Sequence, residues 1–193
     1  MRVKRNLAIV ASLPLAAAAG VASASVVTAG APAGLPPLGR DPARAVSQAL
    51  GAPVADPRRG PPWAVRILAD PAGSRCIEVG RVAGAAFGPA DAAGRVVDTA
   101  PLVTGSCTDP GREPLQVALA QYADAAGDGP RSVLFGVADA SVASVQIVSA
   151  QGTRKVALDA SRTFVVIRDG LSGEGSWSVV VTLRDATSRT YRL

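Results

Sequence analysis

The chain contains no histidine, and this absence excludes most of the chemistry by which a protein of 193 residues could act as an enzyme. Cysteine and serine nucleophiles normally rely on a histidine base, and two cysteines supply only half of a tetrahedral zinc site. A Ser–Lys pair would have to use Lys155, which the pattern assigns to an exposed strand beside Arg154. The sequence therefore predicts no catalytic residue, no metal site and no cofactor.

Lysine, asparagine and aromatic residues are scarce as well. Lys4 and Lys155 are the only lysines and Asn6 is the only asparagine, so removal of an N-terminal signal would leave no site for an N-linked glycan. The chain has two Trp, two Tyr and three Phe, which is too few for a surface on which sugar rings stack. Trp63 and Trp177 each begin an apolar strand pattern, and we expect both to pack in the core.

The N-terminus has the organisation of a secretory signal peptide. Basic residues precede an apolar segment over residues 7–21, which ends in small residues at Ala22 and Ala24. The pattern predicts cleavage between Ala24 and Ser25, and thus a signal peptide of residues 1–24. An uncleaved anchor is the alternative, but the apolar segment is near the lower limit for a bilayer span and is diluted by Ala, Gly, Ser and Pro. We therefore expect a secreted or cell-envelope protein with no membrane span after cleavage.

Cysteine is limited to Cys76 and Cys107. Two thiols in an exported protein normally oxidise, so we predict a disulfide between them. Closing a loop of this size would stabilise the fold by about 3–4 kcal/mol in the chain-entropy description. The residues around Cys107, from 100 to 114, predict a long loop.

Charge gives little indication of a partner. Removal of residues 1–24 lowers the number of basic residues from 20 to 17 and leaves the 15 acidic residues, so the net charge falls from +5 to +2. The remaining basic residues are scattered, with Arg58–Arg59 and Arg154–Lys155 as the only adjacent pairs. Scattered charge is typical of a solvated surface, and we expect no nucleic-acid partner.

Residues 25–62 are rich in Pro and Ala and predict an extended leader. Within this leader, Asp41 has the features of an N-cap, Pro42 those of a first helical residue and Gly51 those of a helix stop. These signals predict one short helix over about residues 41–50. Two turns of helix are marginal without tertiary packing.

From Trp63 onward the sequence consists of short alternating segments separated by turn residues. The segments WAVRILAD and RCIEVGRV predict a hairpin, and similar segments continue to RTYRL at the end. PLQVALAQYA, over residues 114–123, could form a helix on propensity, but its alternation and the glycine-rich turn after it favour a strand. Strands at this spacing predict an all-β, antiparallel β-sandwich over residues 63–193, Ig-like in the broad sense, as one sandwich or two small subdomains.

The last strands resemble a known kind of module. SVLFGVADASVASVQIV, GTRKVALDASRTFVVIRDG and WSVVVTLRDATSRTYRL lie within residues 131–193. They resemble the strand pairs of small secreted Ig-like β-sandwich modules of actinobacterial-type exported proteins. The resemblance rests on strand spacing, and DATS stands where these modules have a glycine-containing turn. It implies a fold and a compartment, and no activity.

Carboxylates remain as candidates for chemistry. Glu78, Glu113, Glu174 and several aspartates could supply the two carboxylates of a glycosidase, although acidic residues in the turns of β-proteins are usually solvated. DAAGDG, at Asp124–Gly129, has some features of a calcium loop, but the alanine at its third position and Phe135 at its twelfth cannot ligate. We interpret this segment as a polar hairpin loop.

These patterns predict a non-catalytic exported or cell-envelope protein that acts as a binding or structural module. We expect its partner to be a cell-wall component or another envelope protein, and the sequence does not identify the ligand. The alternative is a histidine-free, glycosidase-like hydrolase that uses paired carboxylates.

Overall fold

The computed structural model describes residues 24–28, 46–69, 74–91, 93–98, 106–109, 111–122, 129–173 and 176–193. Within these ranges the only regular secondary structure is β-strand, and no helix is present. The strands are β1 (Ala24–Thr28), β2 (Val46–Leu50), β3 (Trp63–Ala69), β4 (Arg75–Ala83), β5 (Ala86–Gly88), β6 (Ser106–Thr108), β7 (Leu115–Tyr122), β8 (Arg131–Ala138), β9 (Val142–Ser149), β10 (Gly152–Val156), β11 (Thr163–Asp169), β12 (Trp177–Leu183) and β13 (Ser188–Arg192). Residues 1–23 and 29–45, with most of the predicted signal peptide and much of the predicted leader, lie outside the described residues.

The described strands pair in an antiparallel manner and form three sheets. The N-terminal sheet has the order β2-β3-β4-β5, and β6 also pairs with β4. The central sheet has the order β1-β7-β8-β11, and the C-terminal sheet has the order β10-β9-β12-β13. The predicted hairpin is confirmed by the pairing of β3 with β4. The preference for a strand over residues 114–123 is confirmed by β7.

Strands β7, β8 and β11 of the central sheet are buried on both faces because their residues alternate between two apolar sets. In β7, Leu119 belongs to the core against the C-terminal sheet, whereas Ala118 belongs to the core against the N-terminal sheet. In β8, Leu134 and Phe135 divide in the same way. The chain is therefore an all-β, antiparallel sandwich, as predicted, in which two cores share one sheet and three layers result.

Each of the two cores that share the central sheet has a tryptophan. The core between the central and C-terminal sheets contains Leu115, Val117, Leu119, Leu134, Ala138, Val142, Val145, Ile147, Val156, Phe164, Val166, Trp177, Val179, Val181 and Leu193. The core between the central and N-terminal sheets contains Trp63, Val65, Ile67, Ile77, Val79, Ala118, Ala120, Val133, Phe135, Val137 and Val165. Trp63 is 2 % exposed and Trp177 is 1 % exposed, which confirms that both pack in the interior.

The helix predicted over about residues 41–50 is wrong in its described part. Val46–Leu50 form β2, which pairs with β3 at the edge of the N-terminal sheet. The N–H of Gly51, predicted to stop the helix, donates to the carbonyl oxygen of Val65 at 2.8 Å. Without β2 the backbone groups of β3 would form an open edge, and a two-turn helix has little stability of its own to compete with that pairing. Residues 41–45 lie outside the described residues.

Candidate functional site

Cys76 and Cys107 form the predicted disulfide. Cys76 lies in β4 and Cys107 lies directly opposite it in β6, with 2.02 Å between the sulfur atoms and 4.0 Å between the Cα atoms. Both cysteines of the chain are bonded in this bridge, so neither thiol is available as a nucleophile or a metal ligand. The long loop predicted over residues 100–114 is wrong at residues 106–108, because this segment pairs with the edge of β4. Residues 100–105 and 110 lie outside the described residues.

Gln116 attaches the bridged strands to the central sheet. This residue is 3 % exposed, and its Nε2 donates to the carbonyl oxygens of Ser106 and Arg75. Its Oε1 accepts a hydrogen bond from Nε of Arg75 at 3.1 Å. Since Ser106 and Arg75 precede the two cysteines in sequence, one buried amide connects both sides of the bridge to β7. The arrangement satisfies a buried polar group and stabilises the strands around the disulfide.

A buried carboxylate, that of Asp56, lies at the opposite end of the β3–β4 hairpin. Its Oδ2 is 2.7 Å from Nη2 of Arg81 and accepts a hydrogen bond from Nε1 of Trp63 at 2.9 Å. Its Oδ1 accepts from the backbone N–H of Arg58 at 2.8 Å. Nε of Arg131, from β8 of the central sheet, is 3.5 Å from the same carboxylate. Asp56 thus connects the segment before β3 with two sheets.

Asp56 is held in its ionised form. Burial by itself raises the pKa of this carboxyl, but the hydrogen bonds from Trp63 and Arg58 lower it. The positive charges of Arg81 and Arg131 lower it further, and the net effect is a pKa below the ordinary value. A carboxylate with a lowered pKa is suited to a permanent ion pair and is unsuited to donating a proton near neutral pH.

Glu78, the first of the three candidate glutamates, is buried in the N-terminal sheet. It is 1 % exposed, and its Oε2 accepts hydrogen bonds from Nε and Nη2 of Arg66 at 3.1 and 2.7 Å. The guanidinium of Arg66 also lies over the ring of Phe87, 4.3 Å from its centroid. Burial raises the pKa of the nearby Tyr122, and the negative charge of Glu78 raises it further. Glu78 is therefore the buried member of a structural ion pair whose other member, Arg66, is partly exposed.

Glu113, the second candidate, belongs to a different part of the fold. Its Oε2 is 3.0 Å from Nη1 of Arg189 and accepts a hydrogen bond from the hydroxyl of Tyr191 at 3.2 Å, both in β13. Burial and the charge of Glu113 raise the pKa of Tyr191 to about 12. Glu174, the third candidate, lies outside the described residues. Glu78 and Glu113 are thus each paired with an arginine. These arginines, Arg66 in β3 and Arg189 in β13, belong to different sheets.

A shallow cleft of about 220 Å³ lies beside Asp159. Its lining residues are Ala52, Val54, Ala157, Leu158, Asp159, Thr163, Phe164 and Val165. Oδ2 of Asp159 already accepts hydrogen bonds from the backbone N–H of Ala52 and the hydroxyl of Thr163, both at 2.6 Å, and its Oδ1 accepts from the N–H of Thr163 at 2.8 Å. The carboxylate of this cleft is therefore used in holding a turn, as aspartates between strands often are.

The predicted signal-cleavage position lies at the start of β1. Ala24 is opposite Tyr122 and Ser25 is opposite Gln121 at the edge of the central sheet. Cleavage between Ala24 and Ser25 would leave Ser25–Thr28 as the first residues of that edge strand.

The part of the chain that the structure describes contains neither a metal-binding cluster nor a membrane-spanning helix. No group of three or more His, Cys, Asp or Glu residues there could hold a metal ion. No helix there is long and apolar enough to cross a bilayer. Residues 123–128, with most of the predicted hairpin loop at Asp124–Gly129, lie outside the described residues.

The outer face of the C-terminal sheet is the feature that sequence reasoning missed. We use this name for the side chains of β9, β10, β12 and β13 that alternate with the core residues and point away from the central sheet. They are Ser144, Gln146, Val148, Thr153, Lys155, Ser178, Val180, Thr182, Ser188, Thr190 and Arg192. The alternation of WSVVVTLRD indicates this face within one strand, but only the pairing of four strands brings its members together.

The outer face carries hydroxyl groups and positive charge, and no carboxylate. The four strands of the C-terminal sheet contain Arg154, Lys155, Arg189 and Arg192 and no acidic residue. Lys155 and Arg192 belong to the outer face, and neither forms an ion pair or hydrogen bond with any described residue. The same holds for the hydroxyl and amide side chains of the face. Unlike the buried charges, these groups are available to a ligand.

The fold and these sites define a disulfide-bonded, three-layer antiparallel β-protein. Among the described residues the buried acidic ones are Asp56, which connects two sheets, and Glu78, which pairs with Arg66 within one sheet, and the unpaired polar groups described above lie on one outer face. The chain matches no protein-family model, no curated protein and no solved structure.

Proposed function

We propose that this chain is a non-catalytic, exported binding module of the cell envelope. The observation that carries the proposal is the bridge between Cys76 and Cys107, because disulfides form and persist in oxidising compartments and are rare in the cytosol. The predicted signal peptide of residues 1–24 supports the same compartment. The resemblance of residues 131–193 to small secreted Ig-like sandwich modules supports both the compartment and the Ig-like assignment.

The non-catalytic part of the proposal rests on the environment of the glutamates. A glycosidase needs two carboxyl groups on either side of a substrate, about 5–9.5 Å apart. Glu78 is buried against Arg66, where no substrate reaches it, and Glu113 is bonded to Arg189 and Tyr191. A histidine-free hydrolase would have to use other carboxylates, and no observation favours one.

The test is expression of the full chain in an exporting bacterial host. We expect an extracytoplasmic product that begins at Ser25 and whose mass is two hydrogen atoms below that of the reduced form. Ala24→Asp should block this processing, because signal peptidase requires a small residue before the cleaved bond. Reduced protein with an intact N-terminus in the cytoplasm would overturn the export proposal. Turnover of an envelope glycan that is lost in Glu113→Gln would overturn the non-catalytic part.

A further inference from the structure

We propose that the outer face of the C-terminal sheet binds an extended, sparsely charged anionic polysaccharide. This inference rests on the proposed function, since it names the chemical class of ligand for the binding module. It is carried by three properties of that face: the placement of its two free cations, the lack of carboxylates, and the unpaired hydroxyl and amide groups on each of its four strands.

The two cations lie on opposite outer strands of the sheet. Lys155 is in β10, at one edge, and Arg192 is in β13, at the other. Three strand spacings separate these strands, which corresponds to about 14 Å across the sheet. Neither cation has a described partner, so no competing carboxylate has to be displaced when an anion arrives. Two cations so far apart fit a ligand whose negative charges are also far apart.

The positions between the cations are uncharged, and polar side chains share them with two valines. One row of paired residues runs Lys155, Gln146, Val180, Thr190, and the next runs Thr153, Val148, Ser178, Arg192. The hydroxyl groups and the amide of these rows donate and accept hydrogen bonds, and none is bonded to a described residue. A chain that lies across the strands would meet a polar group on nearly every strand, as a polymer of sugar hydroxyls requires.

Other polyanions fit this face less well. An acidic polypeptide pairs best with a sheet edge through its backbone or with apolar pockets through its side chains, and a flat face whose strands are paired offers neither. Single-stranded nucleic acid relies on aromatic side chains for base stacking, and the outer face has none. A densely charged polymer would need more cations than Lys155 and Arg192 supply.

The test uses the purified, oxidised, signal-free chain and fluorescent hyaluronan oligosaccharides, which carry a carboxylate on every second sugar. We expect Lys155→Ser and Arg192→Ser each to weaken binding about two- to fivefold, because each removes one exposed charge contact. The double variant should bind about tenfold more weakly. Arg154→Ser is the matched control: it removes the same charge from the same strand, but Arg154 alternates with Lys155 and does not belong to the outer face. It should change the affinity less than twofold.

Lys155 also permits a direct footprint. A chain that begins at Ser25 has one lysine, so an amine-reactive acylating reagent modifies only Lys155 and the N-terminus. Bound hyaluronan should slow acylation of Lys155 at least threefold and leave the N-terminal rate unchanged as an internal reference. Higher salt should remove both the binding and the protection, because exposed charges are screened.

Several outcomes would overturn the inference. One is that the wild-type chain does not bind hyaluronan, and another is that it binds neutral dextran as tightly as hyaluronan. The others are that the double variant binds hyaluronan as tightly as the wild-type chain, or that Arg154→Ser loses as much affinity as the double variant. Tighter binding of polyglutamate would assign the face to an acidic protein instead. The binding experiment uses purified oxidised protein and therefore does not depend on export. A failure to bind hyaluronan would not change the result of the export and processing test, and a failure of export would not change the binding result.

Discussion

Asp56 and Arg81 form a buried ion pair, with 2.7 Å between Oδ2 and Nη2 and with 0 % and 9 % of their side chains exposed. Arg81 also lies over the ring of Trp63, 4.1 Å from its centroid, and donates to the carbonyl oxygen of Pro61 at 2.6 Å. The end of the proline-rich segment is thereby attached to the hairpin that follows it. A buried pair of this kind adds little net stability compared with apolar residues, but loss of one partner leaves an uncompensated charge.

Replacement of Asp56 should therefore be among the most destabilising single changes in the N-terminal sheet. We expect Asp56→Ala to lower the free energy of unfolding by about 3–5 kcal/mol, measured by urea denaturation. Asp185→Ala is the control, since Asp185 is exposed and bonds only within its own turn, to Thr187. A loss below about 1 kcal/mol in Asp56→Ala would show that the pair does not hold the layers.

The lowered pKa of Asp56 predicts a loss of stability in acid. Because the folded-state pKa lies below the unfolded value of about 3.9, the ionised carboxylate contributes its full stabilisation above that value. The contribution is lost as the pH falls from near 4 through the folded pKa. We expect the difference in unfolding free energy between wild type and Asp56→Asn to shrink over this range and to be constant between pH 6 and 8. A difference that grows in acid would contradict the sign of the shift.

Removal of the disulfide should act locally. The bridge closes a sequence separation of 31 residues, and we expect Cys76→Ser/Cys107→Ser to lower the free energy of unfolding by about 2–4 kcal/mol. Amide exchange should accelerate first at Ser106–Thr108, which β4 and Gln116 hold to the sheets, while β12 stays protected. Hydrogen exchange with mass spectrometry on the oxidised chain and the double variant measures both effects. Equal acceleration in β6 and β12 would contradict the local effect.

Gly136 should not tolerate a side chain. A Cβ atom at this position in β8 would lie 2.6 Å from the carbonyl oxygen of Gln116 and 2.7 Å from Cε1 of Phe164. We expect Gly136→Ala to lower the free energy of unfolding by about 1–3 kcal/mol, because the central sheet has neighbours on both faces and cannot expand. Gly173→Ala is the matched control, since no heavy atom lies within 4 Å of its Cβ position. Equal stability of the two variants would contradict this account.

Most of the strand positions along the chain were predictable because strand signals are local. Alternation in segments such as Trp177–Leu183 and the turn residues between segments depend on near neighbours in sequence, and these segments are strands in the structure. The disulfide was predictable for a different reason: with Cys76 and Cys107 as the only cysteines, no other intramolecular bridge exists. The strand Val46–Leu50 was mistaken for a helix because its pairing with β3 is a non-local contact that local helix signals do not report.

The sequence by itself determined the all-β class, the positions of most strands and the identity of the cysteine pair, because composition and period-two alternation are properties of the linear chain. Only the tertiary structure decided what its charged residues do. Glu78, a candidate for chemistry, became a buried partner of Arg66, whereas Lys155 and Arg192 became the two cations of one exposed face. The reason is physical: burial and charge partners depend on which sheet packs on which. Residues 37 positions apart in sequence, such as Lys155 and Arg192, lie on one surface only after the strands have paired.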